Sequence, residues 1–536
     1  MPFFYHQFKN YINRDPLSDW FDIMESKTDL YQKDKKNEFQ IELETQKENY
    51  KLEFKKKFQS ENKFYENLNH TEILQKIKNS EECIIYQSTL YHSKYNIYVK
   101  PDLIIHRNIF KQYFPEIQID LPNYLVIDIL YRVLHFNSDQ TDLLNQGNIY
   151  YHKCKMFVAS NCIQKINCGF FIGKEYRTKN KILNKKENIG FFPFHNEFII
   201  SIQESIAWIN KLNKYYDNWI LYPKPSVKEL YPNMNRKDGN WTSEKKKLAE
   251  SIKEITLVWN ISFNKRCMLL EKGITKWDDP ILLSNIYPYQ IRDNEREFIQ
   301  EKIIQINSQN NINIEPRKIK NYDFLKIIQN QENSIILDIE SVINLEEKQS
   351  YFNNQNKIED PRICIIGTII NQDNYPFKDF TIRYLTNQEE KKIIQYWINY
   401  LTNLFQTKIK IYHWGNAEKI YLDYMKQKYP DLNYPEFECI DLLYYFKLEP
   451  ITIKGCFSYG LKAIVKQLYN LNLIQNQWED DTTGIDAMVQ ILKTSKEAER
   501  KNIPIKRFTQ IKKIIYYNYM DCKVIVDILQ MLSNMI

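Results

Sequence analysis

The chain has 536 residues and a net charge of +7, from 74 Lys and Arg against 67 Asp and Glu. That length suits two or three domains, each able to bury a core, and a charge this mildly basic is only permissive of nucleic-acid contact. Eleven glycines include no glycine-rich phosphate loop of the Walker or dinucleotide type, which argues against a nucleotide-hydrolysing motor.

The start, Met1-Pro2-Phe3-Phe4-Tyr5-His6, lacks a basic region followed by an apolar core, and no stretch approaches a membrane span. A soluble, intracellular protein is expected. Alternating Glu and Lys over 37–58 suit a solvated helix. Strand-like segments follow at 84–90, 103–106, 124–129 and 168–172, with Pro101-Asp102 ahead of the second and Val126-Ile127-Asp128-Ile129-Leu130 forming the third.

This layout resembles the PD-(D/E)xK (RecB-like) nuclease core, in which an Asp after a hairpin and a D/E-x-K on the next strand bind a metal. The resemblance matches those acids to Asp102 and Asp128 and, on the preceding helix, the upstream acid to Glu53. It departs at Leu130, which stands where the lysine belongs and cannot stabilise developing charge. Arg132, at i+2, falls on the same strand face, but its guanidinium is a different donor that cannot deprotonate. The reading for 1–220 is a nuclease-like domain in degenerate form, a nucleic-acid-binding or scaffold remnant. Asp102 and Asp128 are then expected to approach on neighbouring strands, with Leu130 facing the same pocket and no lysine reaching it. Two strand-end aspartates in an unrelated α/β fold are the alternative. The nine cysteines are scattered without C-x-x-C spacing, so reduced thiols are expected. Cys154, Cys162 and Cys168 do not match the iron-sulfur staple of RecB-like nucleases.

A helical region is expected over 221–320. It opens with the extended linker Leu221-Tyr222-Pro223-Lys224-Pro225 and contains an amphipathic stripe of Leu248, Ile252, Ile255 and Trp259. Asp15-Pro16-Leu17 with Asp19-Trp20, Glu229-Leu230-Tyr231-Pro232-Asn233-Met234 and Tyr412-His413-Trp414-Gly415 with Glu418 are similar to features shared by a group of uncharacterised proteins of large DNA viruses. If the chain is viral, that resemblance implies the host cytoplasm or the virion.

In the last 216 residues (321–536), the run Ile335-Ile336-Leu337-Asp338-Ile339-Glu340 reads as a buried strand interrupted by two carboxylates. Residues i and i+2 share one face of a strand, so both acids project together from a sheet otherwise filled with Ile and Leu. Buried like charges call for a cation, and carboxylate oxygens suit Mg²⁺ or Mn²⁺. Two such ions about 4 Å apart clamp the attacking and leaving oxygens of a phosphodiester. On the final helix, expected over 507–535, Tyr517 and Asp521 stand four apart on one face.

These motifs together resemble the DEDD (DnaQ-type) exonucleases of the ribonuclease-H-like superfamily, and in particular their YprB-type, RecB-linked branch. Glu418, in Tyr412-His413-Trp414-Gly415-Asn416-Ala417-Glu418, replaces the usual middle Asp. Further points of resemblance are Gly367 in a strand at 363–370, Ile440-Asp441-Leu442, Ser458-Tyr459-Gly460-Leu461-Lys462 and Gly484-Ile485-Asp486. The resemblance implies a two-metal site of Asp338, Glu340, Glu418 and Asp521, with Tyr517 positioning the attacking water. Tyr516 stands where another subclass carries a histidine. Tyr517 has an alternative as a core aromatic, and Asp441 as a helix N-cap or sheet-end residue. His413 and Trp414 are either nucleotide contacts or packed side chains.

The fold class expected is α/β: a C-terminal ribonuclease-H-like mixed sheet with flanking helices, an N-terminal PD-(D/E)xK-like domain and a helical middle. Two functions follow from the resemblance: a metal-dependent 3′→5′ exonuclease acting on a single-stranded end of DNA or RNA, or a non-cleaving nucleic-acid-binding scaffold.

Overall fold

The computed structural model of this mixed α/β protein describes residues 2–61, 63–117, 121–163, 167–179, 181–184, 187–236, 239–286, 295–309, 311–342, 361–371, 375–479 and 482–536. The chain forms two compact units, the first mainly Met1–Lys36 with Gln40–Ile252, the second mainly Lys253–Leu345 with Lys357–Ile536. The helical stretch expected at 221–320 is thus divided between the two. Its helix Thr242–Ile252 buries Leu248, Ala249 and Ile252, and Lys245 on it pairs with Asp15 at 2.8 Å, whereas Ile255, Val258 and Ile261 join the core around Phe324 and Ile336.

The first unit is built on a mixed sheet. Its main path comprises β1 (Phe64–Glu66), β2 (Ile84–Tyr86), β3 (Leu103–His106), β4 (Tyr124–His135), β5 (Cys168–Arg177) and β6 (Gly190–Pro193), in the order β6-β5-β4-β3-β2-β1. β4 runs antiparallel to β3 and parallel to β5. Helix α1 (Glu38–Glu61) is Glu- and Lys-rich as expected, but it is not merely solvated: Tyr50, Phe54 and Phe58 recur every four residues and bury against Ile127, Ile129 and Ile172. With Ile127 and Ile129 on that face, Asp128 turns to the other, where helix α2 (Ile149–Asn161) packs.

The second unit contains a five-stranded sheet of β7 (Ser334–Val342), β8 (Arg362–Ile370), β9 (Phe377–Thr381), β10 (Ile409–His413) and β11 (Phe437–Asp441), ordered β9-β8-β7-β10-β11. β8 is antiparallel to both β7 and β9, whereas β7, β10 and β11 are parallel. Around it lie α3 (Asn387–Leu404), α4 (Ala417–Lys428), α5 (Leu442–Leu448), α6 (Leu461–Asn470), α7 (Gly484–Lys501) and α8 (Thr509–Ser533). Two cores fill the two faces. Ile335, Leu337 and Ile339 pack with Trp397 of α3 and Ile491 of α7, whereas Ile336 packs with Val524 and Ile528 of α8. The two-residue period therefore places Asp338 and Glu340 in the row begun by Ile336. Among the described residues, no helix is long and apolar enough to cross a membrane.

Candidate functional site

β7 pairs with β8 along its whole length but with β10 only from Ser334 to Ile336 among the described residues. Asp338 and Glu340 lie just past that ladder, where β10 ends and the chain turns through Gly415 (φ +87°) into α4. Crevices at the carboxyl ends of parallel strands are where open α/β sheets place ligands. From α8, Asp521 completes a group: one carboxylate oxygen from each of Asp338, Glu340 and Asp521 lies within 4.8 Å of the others.

Asn518, one turn before Asp521, fixes the first of these acids. Its amide Nδ2 donates to Asp338 Oδ2 at 2.5 Å and to the Asp338 carbonyl at 3.2 Å. Gly367 faces Asp338 directly across β7 and β8, and a Cβ there would stand 1.6 Å from Asn518 Oδ1, so only glycine leaves room for this amide. A register shift between Glu340 and Ser341 interrupts the regular pairing, which resumes at Ser341 and Val342, and Ser341 Oγ meets the Tyr421 hydroxyl of α4 at 2.5 Å.

Burial holds these carboxyls protonated above the ordinary carboxylate range, and for Asp338 and Glu340 the neighbouring carboxylates add to it. For Asp338, burial is the larger cause, followed by the charges of Asp521, Glu340 and Glu418. Glu340 is pushed up to about 8 by burial and then by Asp521 and Glu418, with Lys462 opposing. Burial raises Asp521 to about 7 against a hydrogen bond from Tyr517 and the charge of Lys462. Tyr517 therefore points into the centre; burial and the carboxylates raise its phenol, which stays protonated. Tyr516 is 48% exposed and reaches Glu479 instead.

Glu418 stands back from the 4.8 Å group. Placed in the first turn of α4, it directs Oε2 to within 3.7 Å of His413 Nδ1, and that buried oxygen has no hydrogen-bond partner among the described residues. Its pKa rises to about 7 through burial and then through Asp441 and Asp521, so it shares the electrostatics of the centre. His413 is buried and donates Nδ1–H to the Gly415 carbonyl at 2.6 Å, the only role a carbonyl partner permits. Trp414 donates to the Tyr459 carbonyl at 3.1 Å and packs edge-on against Phe446. Asp441 caps α5: its Oδ1 accepts from Leu443 N at 2.9 Å and from Gly415 N at 2.8 Å. These three residues support the turn into α4.

In the first unit Asp102 and Asp128 do approach each other, the Asp102 amide donating to Asp128 Oδ1 at 3.2 Å and Ile129 N donating to Asp102 Oδ2 at 2.9 Å. The expectation that no lysine reaches them is overturned. Lys155 of α2 holds both oxygens of Asp128, at 2.8 and 2.9 Å, His152 Nδ1 lies 3.1 Å from Oδ2, and Lys51 of α1 holds Asp102 at 2.8 Å. The ammonium comes from a helix packed on the Asp128 face, not from position 130 of the strand. Burial opposes ionisation of Asp128, but Lys155 and His152 outweigh it and carry its pKa below the ordinary range. Arg132 does not substitute: the β4–β5 register shifts between Leu130 and Val133, and the guanidinium goes to Asn148 Oδ1 and the Gln146 carbonyl. Among the described residues Glu53 makes no hydrogen bond to the pair, and its buried Oε1 finds no partner; the acid of α1 whose charge reaches Lys51 is Glu48.

Asn518, Lys462, Lys155, His152 and Lys51 carry no role in the sequence reading. For Asn518 a signal existed, its place three residues before Asp521 on one helix face. For Lys155 the signal is absent locally, because only the packing of α2 brings it to Asp128. The sequence matches no family model, and neither a curated protein nor a solved structure gives a significant match.

Proposed function

We propose that the chain is a metal-dependent 3′→5′ exonuclease that hydrolyses phosphodiester bonds of single-stranded nucleic-acid ends in its C-terminal unit. The observation that carries this reading is the meeting of Asp338, Glu340 and Asp521 within 4.8 Å on one sheet face. The sheet order, third-second-first-fourth-fifth with the second strand antiparallel, supports the ribonuclease-H-like assignment.

The donor set fits divalent ions on two further counts: the repulsion that helps to raise Asp338, Glu340 and Glu418 is what a cation relieves, and Glu418 Oε2 is buried without a hydrogen-bond partner among the described residues. Mg²⁺ or Mn²⁺ held by Asp338, Glu340, Asp521 and Glu418 would supply the positive charge that a phosphodiester needs as its oxygens gain charge. Asn518 holds Asp338 in orientation, and Tyr517, kept protonated, offers its hydroxyl to position water. The test is incubation of the protein with end-labelled single- and double-stranded DNA and RNA in Mg²⁺ or Mn²⁺, beside Asp338→Asn. Shortening from the 3′ end by the wild type and its loss in the variant are expected; binding of ends without cleavage under either metal would favour the scaffold reading.

A specific observation favours a second reading for the first unit. Lys155 supplies the ammonium whose absence from position 130 made this unit look degenerate, so Asp102, Asp128 and Lys155 together constitute a second candidate hydrolytic site of the PD-(D/E)xK kind.

A further inference from the structure

Among the described residues, the carboxylate centre of the second unit has a cation beside it, Lys462, that the proposed chemistry does not employ. Lys462 is the second residue of α6, and its ammonium lies 5.0 Å from the ring centroid of Tyr517 and 5.3 Å from that of Trp478. It donates to the Thr482 carbonyl, a neutral partner. Its charge acts on both Glu340 and Asp521, yet among the described residues no carboxylate lies within ion-pairing distance of it. A lysine ammonium has three donors, and one is spent on Thr482. Two aromatic faces fix where the charge sits, a placement worth about 0.5–2 kcal/mol in cation–π attraction. A lysine serving only to balance the acids would close onto one of them; this one is held beside them with donors to spare.

We propose that Lys462 is the residue that positions the substrate, its ammonium taking a non-bridging oxygen of a nucleic-acid phosphate next to the carboxylates. The inference rests on the exonuclease reading of this centre. It distinguishes itself from charge balance by the sign of two effects. Removing a cation beside the acids leaves divalent-ion binding unchanged or tighter, because the ion no longer faces a neighbouring positive charge. The same removal weakens the hold on a nucleic-acid strand, because a phosphate contact is lost.

The experiment uses the full chain as wild type, Lys462→Met and Lys462→Arg. Binding of fluorescent single-stranded DNA and RNA of one sequence is measured in EDTA over a range of salt, so that only the chain's own contacts are read. Mn²⁺ affinity is measured separately without nucleic acid, and melting curves check folding. Lys462→Met should lose about 10-fold in strand affinity, the slope of log affinity against log salt should fall in magnitude by about 0.7, and Lys462→Arg should restore most of the loss. Mn²⁺ affinity should stay or tighten. In turnover, KM should rise and kcat change less.

Strand affinity unaltered in Lys462→Met, strand and Mn²⁺ affinity lost together with a lowered melting temperature, or no strand binding by the wild type would each overturn the proposal. The two readings fail separately. A wild type that cuts, with KM unmoved by Lys462→Met, sinks the role of Lys462 alone; Lys462-dependent binding without cleavage sinks the exonuclease reading alone.

Discussion

At the scale of single residues, the second unit concentrates negative charge that folding alone does not repay. Glu340 keeps its proton up to about 8 and Asp521 and Glu418 up to about 7, whereas in the unfolded chain these groups ionise near about 4. Between those limits these groups bind more protons in the folded state than in the unfolded one, so their contribution to stability is fully present below about pH 4 and is lost as pH rises to about 8. In EDTA, the melting temperature should therefore drop from pH 5 to pH 8.5, and Mn²⁺ should restore more of it at pH 8.5 than at pH 6. A Mn²⁺ effect independent of pH would show that these carboxyls do not hold the ion. Asp338→Asn should remove that Mn²⁺ effect along with hydrolysis, since the amide keeps the contact with Asn518 but not the charge. Tyr517→Phe removes one hydroxyl that positions water and should cost about 10² to 10⁴-fold in kcat, measured with metal saturating.

At the scale of elements, a glycine and a helix residue act as one fitting. Gly367→Ala drives a methyl into Asn518 Oδ1 on a buried, hydrogen-bonded amide, and should destabilise the second unit by about 2 kcal/mol while lowering kcat. Adding Asn518→Ala should return the stability without returning the activity, because Asp338 then lacks its donor. Urea unfolding and kinetics on the two variants decide this; stability that stays low in the double variant would place the strain elsewhere. The same scale explains what the sequence could and could not convey. The period of two along β7 and the period of 3.6 along α8 are local, and they sufficed to pair Asp338 with Glu340 and Tyr517 with Asp521; that the two pairs meet was implied by the family resemblance alone. The i+2 inference for Arg132 failed because a register shift after Leu130 interrupts that period, a feature with no marker in the residues themselves. Glu53 failed for a related reason, since the choice among Glu48, Lys51 and Glu53 depends on how α1 is rotated against the sheet.

At the scale of the whole molecule, each of the two units has its own core and its own constellation of acids. Lysine reaches Asp128 across the packing of a helix on a sheet, a relation between residues 27 positions apart that no motif of fixed spacing contains. If both constellations hydrolyse nucleic acid, Asp338→Asn should leave a residual cleavage that Lys155→Met abolishes, and the two variants combined should be inactive. If Asp338→Asn alone leaves nothing, the first unit does not hydrolyse nucleic acid under the conditions used.

The way β7 is bonded also divides the centre. From Ser334 to Ile336 the strand is tied on both sides, and opening it means undoing the sheet; from Asp338 onward it is tied on one side, and two of the four acids stand on helices instead. Asp338 and Glu340 thus stand on a strand edge held by β8 alone, and the side left open by β10 is the side on which Glu418 comes from α4.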